Sequence, residues 1–204
     1  MGYHIFSFGI KTTNIISTFG SKNPKLQHIV EENHIFKNYE NNDFQGVKTS
    51  LKVALQDIVQ GNKYDIDAGF IYGYALIGLC ATLGTTPPYN QEIKLGYDTD
   101  LINSVLEDDF ELNNFNIEDT FFPEKKHPFP IPKIADFPII GLIKYSDLAN
   151  ISKKLSALNI TQENIDELQD DPDEREFAYE HLKGILENVN FCLKNNLDLI
   201  SFCH

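Results

Sequence analysis

The sequence predicts a single α+β domain over residues 1–204, a small sheet packed with several helices around one buried central helix. Three observations predict this class. β-prone stretches stand near both ends of the chain, at 3–8 and 197–203, with a third at 137–145, and helical periodicity separates them. The run from Ile66 to Gly84 is almost wholly apolar, small or aromatic. The stretch before Lys194 repeats Ala178, Leu182, Ile185, Leu186, Val189 and Leu193 at helical spacing, a strong amphipathic signal.

Tyr3 to Phe8 alternates and should form the first strand, ending at Gly9. A short helix over 13–19 stops at Gly20. Asn23 followed by Pro24 is an N-cap with proline in the first helical position, and Leu26, Ile29 and Val30 give that helix an apolar face. Asn38 to Asp43 is polar and turn-rich. It leads into a third helix carrying Phe44, Val47, Leu51, Ala54, Leu55 and Ile58, closed by Gly61-Asn62.

The central helix, 68–83, shows no polar face on a 3.6-residue wheel, so it belongs inside a core. Gly69, Gly73 and Cys80 share one narrow seam. An interior glycine costs about 1 kcal/mol against alanine, so close approach of another element along that seam is expected to offset it. Asp65 and Asp67 precede the helix and suit its free N–H groups and dipole.

Pro87-Pro88 then turns the chain, 91–97 is weakly strand-like, and Asp98-Thr-Asp100 opens a short helix to about Glu107. Residues 108–136 break every period. Pro123, Pro128, Pro130 and Pro132 are interleaved with Phe121, Phe122, Phe129 and Ile131, which favours an extended chain whose aromatics pack. After the strand at 137–145, Ser146-Asp147 opens a helix, Thr161 caps another, and Asp170-Asp-Pro-Asp-Glu174 begins the long closing helix.

Charge restricts function. Thirty acidic residues against 17 basic give a net charge of −13, which repels nucleic acid phosphates and anionic membranes. The N-terminus has no basic and apolar leader pattern, and the central helix is glycine-broken and lacks basic flanks. Cytoplasmic placement is the expectation. Cys80, Cys192 and Cys203 have no pairing or metal spacing and read as reduced core cysteines. The six histidines form no zinc motif, and serine-hydrolase, P-loop and dinucleotide signatures are absent. The sequence therefore predicts no catalytic set, metal or cofactor.

The densest feature is acidic: Asp170, Asp171, Asp173, Glu174 and Glu176, expected to meet a basic protein partner, with Phe129 as an aromatic anchor. Alternatively, a small-molecule enzyme would hold a pocket beneath the proline-rich segment, lined by tyrosines and drawing on Asp65, Asp67 or His127. A third possibility, a subunit of a larger assembly, would expose an apolar patch.

The opening Met1-Gly-Tyr3 strand, the Phe19-Gly-Ser-Lys-Asn-Pro-Lys-Leu26 stretch and the Tyr72-Gly-Tyr-Ala-Leu-Ile-Gly-Leu-Cys80 core resemble a family of small uncharacterised bacterial proteins. The closing helix followed by an apolar strand is similar to the YfbM-like family. The resemblance implies an intracellular bacterial α+β domain. By analogy it also implies an immunity-type role, occluding the basic surface of a cognate toxin. It carries over no functional residue.

Overall fold

The computed structural model describes residues 3–41, 47–123 and 129–204, and it has the expected α+β class. Its sheet holds β1 (His4–Ile10), β2 (Ile93–Lys94), β3 (Ile139–Ile143) and β4 (Asp198–Cys203), in the order β2-β1-β4-β3, with every pair antiparallel. The last strand of the chain is thus an inner one. Ser7, Ser201 and Gly141 stand in one row across β1, β4 and β3, and the two serine Oγ atoms are 2.8 Å apart.

Side chains alternate across this sheet, and both faces are covered. Phe8, Ile10, Ile140, Ile200 and Phe202 join the core formed with α1 (Thr12–Ile16), α2 (Pro24–Glu32), α3 (His34–Glu40), α4 (Leu51–Gln60) and α5 (Gly69–Leu83). Ile5, Ile143, Leu199 and Cys203 join the second core. It is formed with α6 (Tyr97–Asp108), α7 (Ile117–Phe121), α8 (Tyr145–Ser156) and α10 (Arg175–Asn195), and α9 (Gln162–Glu167) packs on α10. Burial on both sides explains why β4, after Asp198, is an apolar run broken only by its serine.

Local rules place several boundaries. Asn23 Oδ1 accepts from the Lys25 and Leu26 amides, Ser50 from Val53, and Thr161 from Asn164. Gly61 ends α4 at φ 71°, and Asn196 ends α10 at φ 52°, a left-handed conformation that glycine and asparagine tolerate best. Asp198 accepts from the Thr12 amide through Oδ2 and from the Tyr145 amide through Oδ1, so one carboxylate tethers the starts of α1 and α8.

The central helix is enclosed as expected, and its seam is occupied. A Cβ on Gly69 would lie 2.1 Å from the Lys133 carbonyl oxygen, and one on Gly73 would lie 2.8 Å from both Ile134 and Pro138. The proline-rich segment is therefore the element that approaches α5. On another face of α5, a Cβ on Gly78 would meet the Phe36 ring at 2.6 Å. Ile66–Leu83 has the length and mean hydropathy, 1.5, of a minimal membrane span, but most of it lies inside the protein.

Several expectations need correction. The third helix starts only at Leu51, capped by Ser50; Val47 precedes it and Phe44 lies outside the described residues. Residues 34–40, taken in part for a turn, form α3, because Asn33 Oδ1 caps it by accepting from the Ile35 amide and Phe36 fills the space beside Gly78. Ile29 is 57% exposed, so Val30 carries the buried contact of α2. The stretch 108–136 is not wholly irregular: Asn116 caps the single turn α7. Asp98 does not cap α6; Thr99 Oγ1 accepts from the Gly96 amide, while Asp98 accepts from the Lys94 amide at 2.7 Å.

Candidate functional site

The outer edge of β1 is incompletely paired. His4 exchanges both backbone hydrogen bonds with His204, so even-numbered β1 residues face β4 and Ile5, Ser7 and Gly9 direct their N–H and C=O groups to the other edge. Ile5 is opposite Ile93 in β2, and Gly9 exchanges two bonds with Thr85 at 2.9 Å each. Between these fixed points β1 advances four residues while the outer chain spends eight, and residues 86–92 bow out of the sheet. Ser7 is left with no backbone partner among the described residues.

Two devices hold the bow in place. The Asn188 side chain accepts from the Tyr89 amide at 2.9 Å and donates to the Tyr89 carbonyl at 2.7 Å, reproducing a strand pairing with one amide group. The Tyr89 ring lies over Gly184, where a Cβ would come within 2.2 Å of it. Tyr89 Oη is also 2.7 Å from His181 Nδ1, and His181 Nε2 stands 3.5 Å from Asp98. This tyrosine–histidine–aspartate row resembles a proton relay. Burial pushes the Tyr89 phenol up and the His181 imidazole down, however, so both are neutral at neutral pH and the row serves as a lock.

Between bow and strand lies a cavity of about 410 Å³. Phe6, Ser7 and Phe8 form its floor, Tyr39 and His204 one wall, and Gln91 part of the other. Tyr39 Oη and His204 Nε2 are hydrogen-bonded at 2.6 Å, and the His204 ring packs edge-on against Phe6, Tyr39 and Tyr74. At the rim His4 Nδ1 and Glu92 Oε2 stand 3.2 Å apart, within ion-pair range but without a hydrogen-bond angle.

Two imidazoles, the buried His181 and the half-buried His204, make stability depend on pH. Burial lowers the pKa of both His181 and His204, against the upward pull of Asp98 and Glu180 at one and of Glu92 at the other. In that range the unfolded chain binds protons that the folded chain does not. Stability should therefore hold above about pH 7.5 and decline as pH falls through the ordinary histidine value of about 6.5 toward the folded values. Urea midpoints at pH 7.5 and 5.5 check this; a midpoint that rises on acidification contradicts it.

The five acids of the predicted partner surface do converge at the start of α10, but they are not equally available. Arg175 grips Asp171 with Nε and Nη2 at 2.9 Å each and holds its carboxyl below the usual range. The Tyr97 hydroxyl donates to Glu174. Asp170 and Asp173 are exposed and Glu176 half-buried. Phe129 is only 3% exposed and belongs to the core around α5, so it cannot serve as an exposed anchor.

Of the residues proposed for the alternative enzyme, Asp65 and Asp67 stand together in the turn before α5. Asp65 caps the turn before α5, accepting from Thr49 Oγ1 at 2.7 Å and the Asp67 amide at 3.2 Å. Tyr72, pushed up to about 12 by burial, donates to Asp57 and accepts from the Asp65 amide. His127 lies outside the described residues. The cavity beside 134–138, about 320 Å³, is lined by Glu118, Asp119 and Asp136, and by no tyrosine among the described residues. All three cysteines are free and buried, and burial pushes their thiols up. Among the described residues no three His, Cys, Asp or Glu side chains are grouped to hold a metal.

The strand-edge cavity was not legible in the sequence. Its only trace was the turn at Pro87-Pro88 followed by a weak strand signal, which hinted that the chain leaves the sheet and returns.

Fold and site define an α+β domain, with helices on both faces of an antiparallel sheet and one cavity opened by a gap in its edge. The chain belongs to the family described as a domain of unknown function, DUF7691, which it matches over residues 1–204. No curated protein and no solved structure matches it.

Proposed function

We propose that this is a cytoplasmic binding protein that engages a basic protein surface, as an immunity-type inhibitor does when it neutralises a cognate toxin. The observation that carries the reading is the set of exposed acids Asp166, Glu167, Asp170 and Asp173 leading into α10, beside bases that are already engaged. Arg175 is held by Asp171, and Lys183 donates to Gln162 at 2.8 Å. With a net charge of −13 behind it, this face favours a cationic partner and speeds its approach. The immunity form of the proposal is an analogy drawn from the likeness of the sequence to small bacterial proteins.

The test is recovery of partners on the tagged protein from its native cells at low and moderate salt. One stoichiometric basic protein, toxic alone and harmless when co-expressed, is the expected result; no retained protein at either salt refutes it. Against that partner, D170N/D173N/E176Q should slow association about tenfold and flatten its salt dependence, because steering fields scale with the charge removed. Asp171 and Glu174 are left intact because they hold structure. Unchanged association kinetics would exclude this face.

The cavity at the β1 edge favours a second reading, a small-molecule site.

A further inference from the structure

We propose that the β1-edge cavity binds a neutral planar carboxamide or lactam, which supplies the hydrogen-bond partners that Ser7 lacks. The backbone N–H and C=O of Ser7 point the same way, toward the bowed segment, and have no partner among the described residues. A donor and an acceptor side by side at an open strand edge match a group that offers an acceptor and a donor side by side, as an amide or lactam edge does. Leaving such a pair unmet in a half-buried site is costly, so a ligand that meets it gains more than one that only fills space.

The geometry also limits the size of the ligand. The gap is closed on one side by the Gly9–Thr85 bridge and on the other by the Ile5–Ile93 pair, so a peptide strand cannot run through it. Among the described residues of β1 between these two points, only the Ser7 donor–acceptor pair faces the gap unpaired, in a cavity of about 410 Å³, the size of a small molecule. Phe6, Phe8, Tyr39 and His204 supply aromatic surfaces suited to a flat ring. Glu92 at the mouth and the acidity of the whole chain disfavour an anion.

The experiment is a titration of the isotope-labelled full chain, followed through backbone amide resonances, with nicotinamide and uracil as probes and nicotinate as the anionic control. Nicotinamide, uracil or both should shift the Ser7 and Gln91 amides saturably, with a Kd on the order of 1 mM for probes of this size. Nicotinate should bind at least tenfold more weakly. Before ligand is added, the Ser7 amide should exchange with solvent faster than those of Phe6 and Phe8, which are paired to β4. Asn38→Trp, placed at the cavity wall on α3, should weaken the probes at least tenfold without changing the unfolding temperature. If that variant does not fold, Gln91→Ala should move the Gln91-side contacts alone. The proposal is overturned if neither probe shifts Ser7, if nicotinate binds as well as nicotinamide, or if the Ser7 amide is as protected as its neighbours. Since no toxin or acidic face enters this test, its outcome is separate from that of the partner proposal.

Discussion

Replacing Gly141 by alanine should destabilise the protein by about 3 kcal/mol, at the upper end of what overpacking costs. Gly141 lies in the middle of β3 opposite Ser201, and a Cβ there would fall 1.8 Å from the Phe121 carbonyl oxygen and 2.8 Å from the Phe122 ring. The obstacle is backbone at the end of α7, so no rotamer change relieves it. Either α7 lifts off the sheet, uncovering Phe121 and Ile117, or β3 leaves β4. For a chain of this length the loss corresponds to about 6–12 °C in Tm. Gly96→Ala is the internal control. It has φ 87° but nothing within 4 Å of the added methyl, so it should cost only about 1–2 kcal/mol of backbone strain. Thermal unfolding of the two variants checks the ranking, and an equal or smaller loss at Gly141 would show that the α7 contact is not rigid.

Gly69→Ala is the second large effect, and here even the sign is informative. In an exposed helix, alanine in place of glycine should stabilise by about 1 kcal/mol. At the start of α5, however, the methyl would sit 2.1 Å from the Lys133 carbonyl oxygen. The expected result is a loss of about 3 kcal/mol, with the segment around Lys133 and Ile134 displaced from the central helix. Urea unfolding measures the loss, and amide shifts confined to the neighbourhood of residues 129–138 would locate it. A stabilised variant would mean that the proline-rich segment does not rest on α5.

These two glycines differ in how readable they were. Gly69 and Gly73 stood out because they interrupt an otherwise apolar helix on one seam, a local cost that implied a close neighbour; the seam was visible before its occupant was. Gly141 gave no such warning, because the carbonyl it accommodates comes from a single-turn helix 20 residues earlier. Short elements behave this way generally. α3 and α7 have seven and five residues, too few to be stable on their own, and they form because Phe36 and Phe121 have places to fill.

By itself the sequence determined the class of fold, the enclosed central helix, the amphipathic closing helix, the caps at Asn23 and Thr161, and the acidity that biases any partner. Each of these follows from periodicity, capping chemistry or summed charge, which act over a few residues or over the whole chain at once. The tertiary structure decided which strands are neighbours, that Phe129 is core, that Arg175 takes up part of the acidic cluster, and that a cavity exists at all. Those outcomes depend on pairings such as Ser7 with Ser201 and Tyr89 with Asn188, between residues 194 and 99 positions apart. The gap beside Ser7 arises because two such long-range pairings fix the edge at Ile5 and at Gly9, while the chain between their partners is too long to follow the strand.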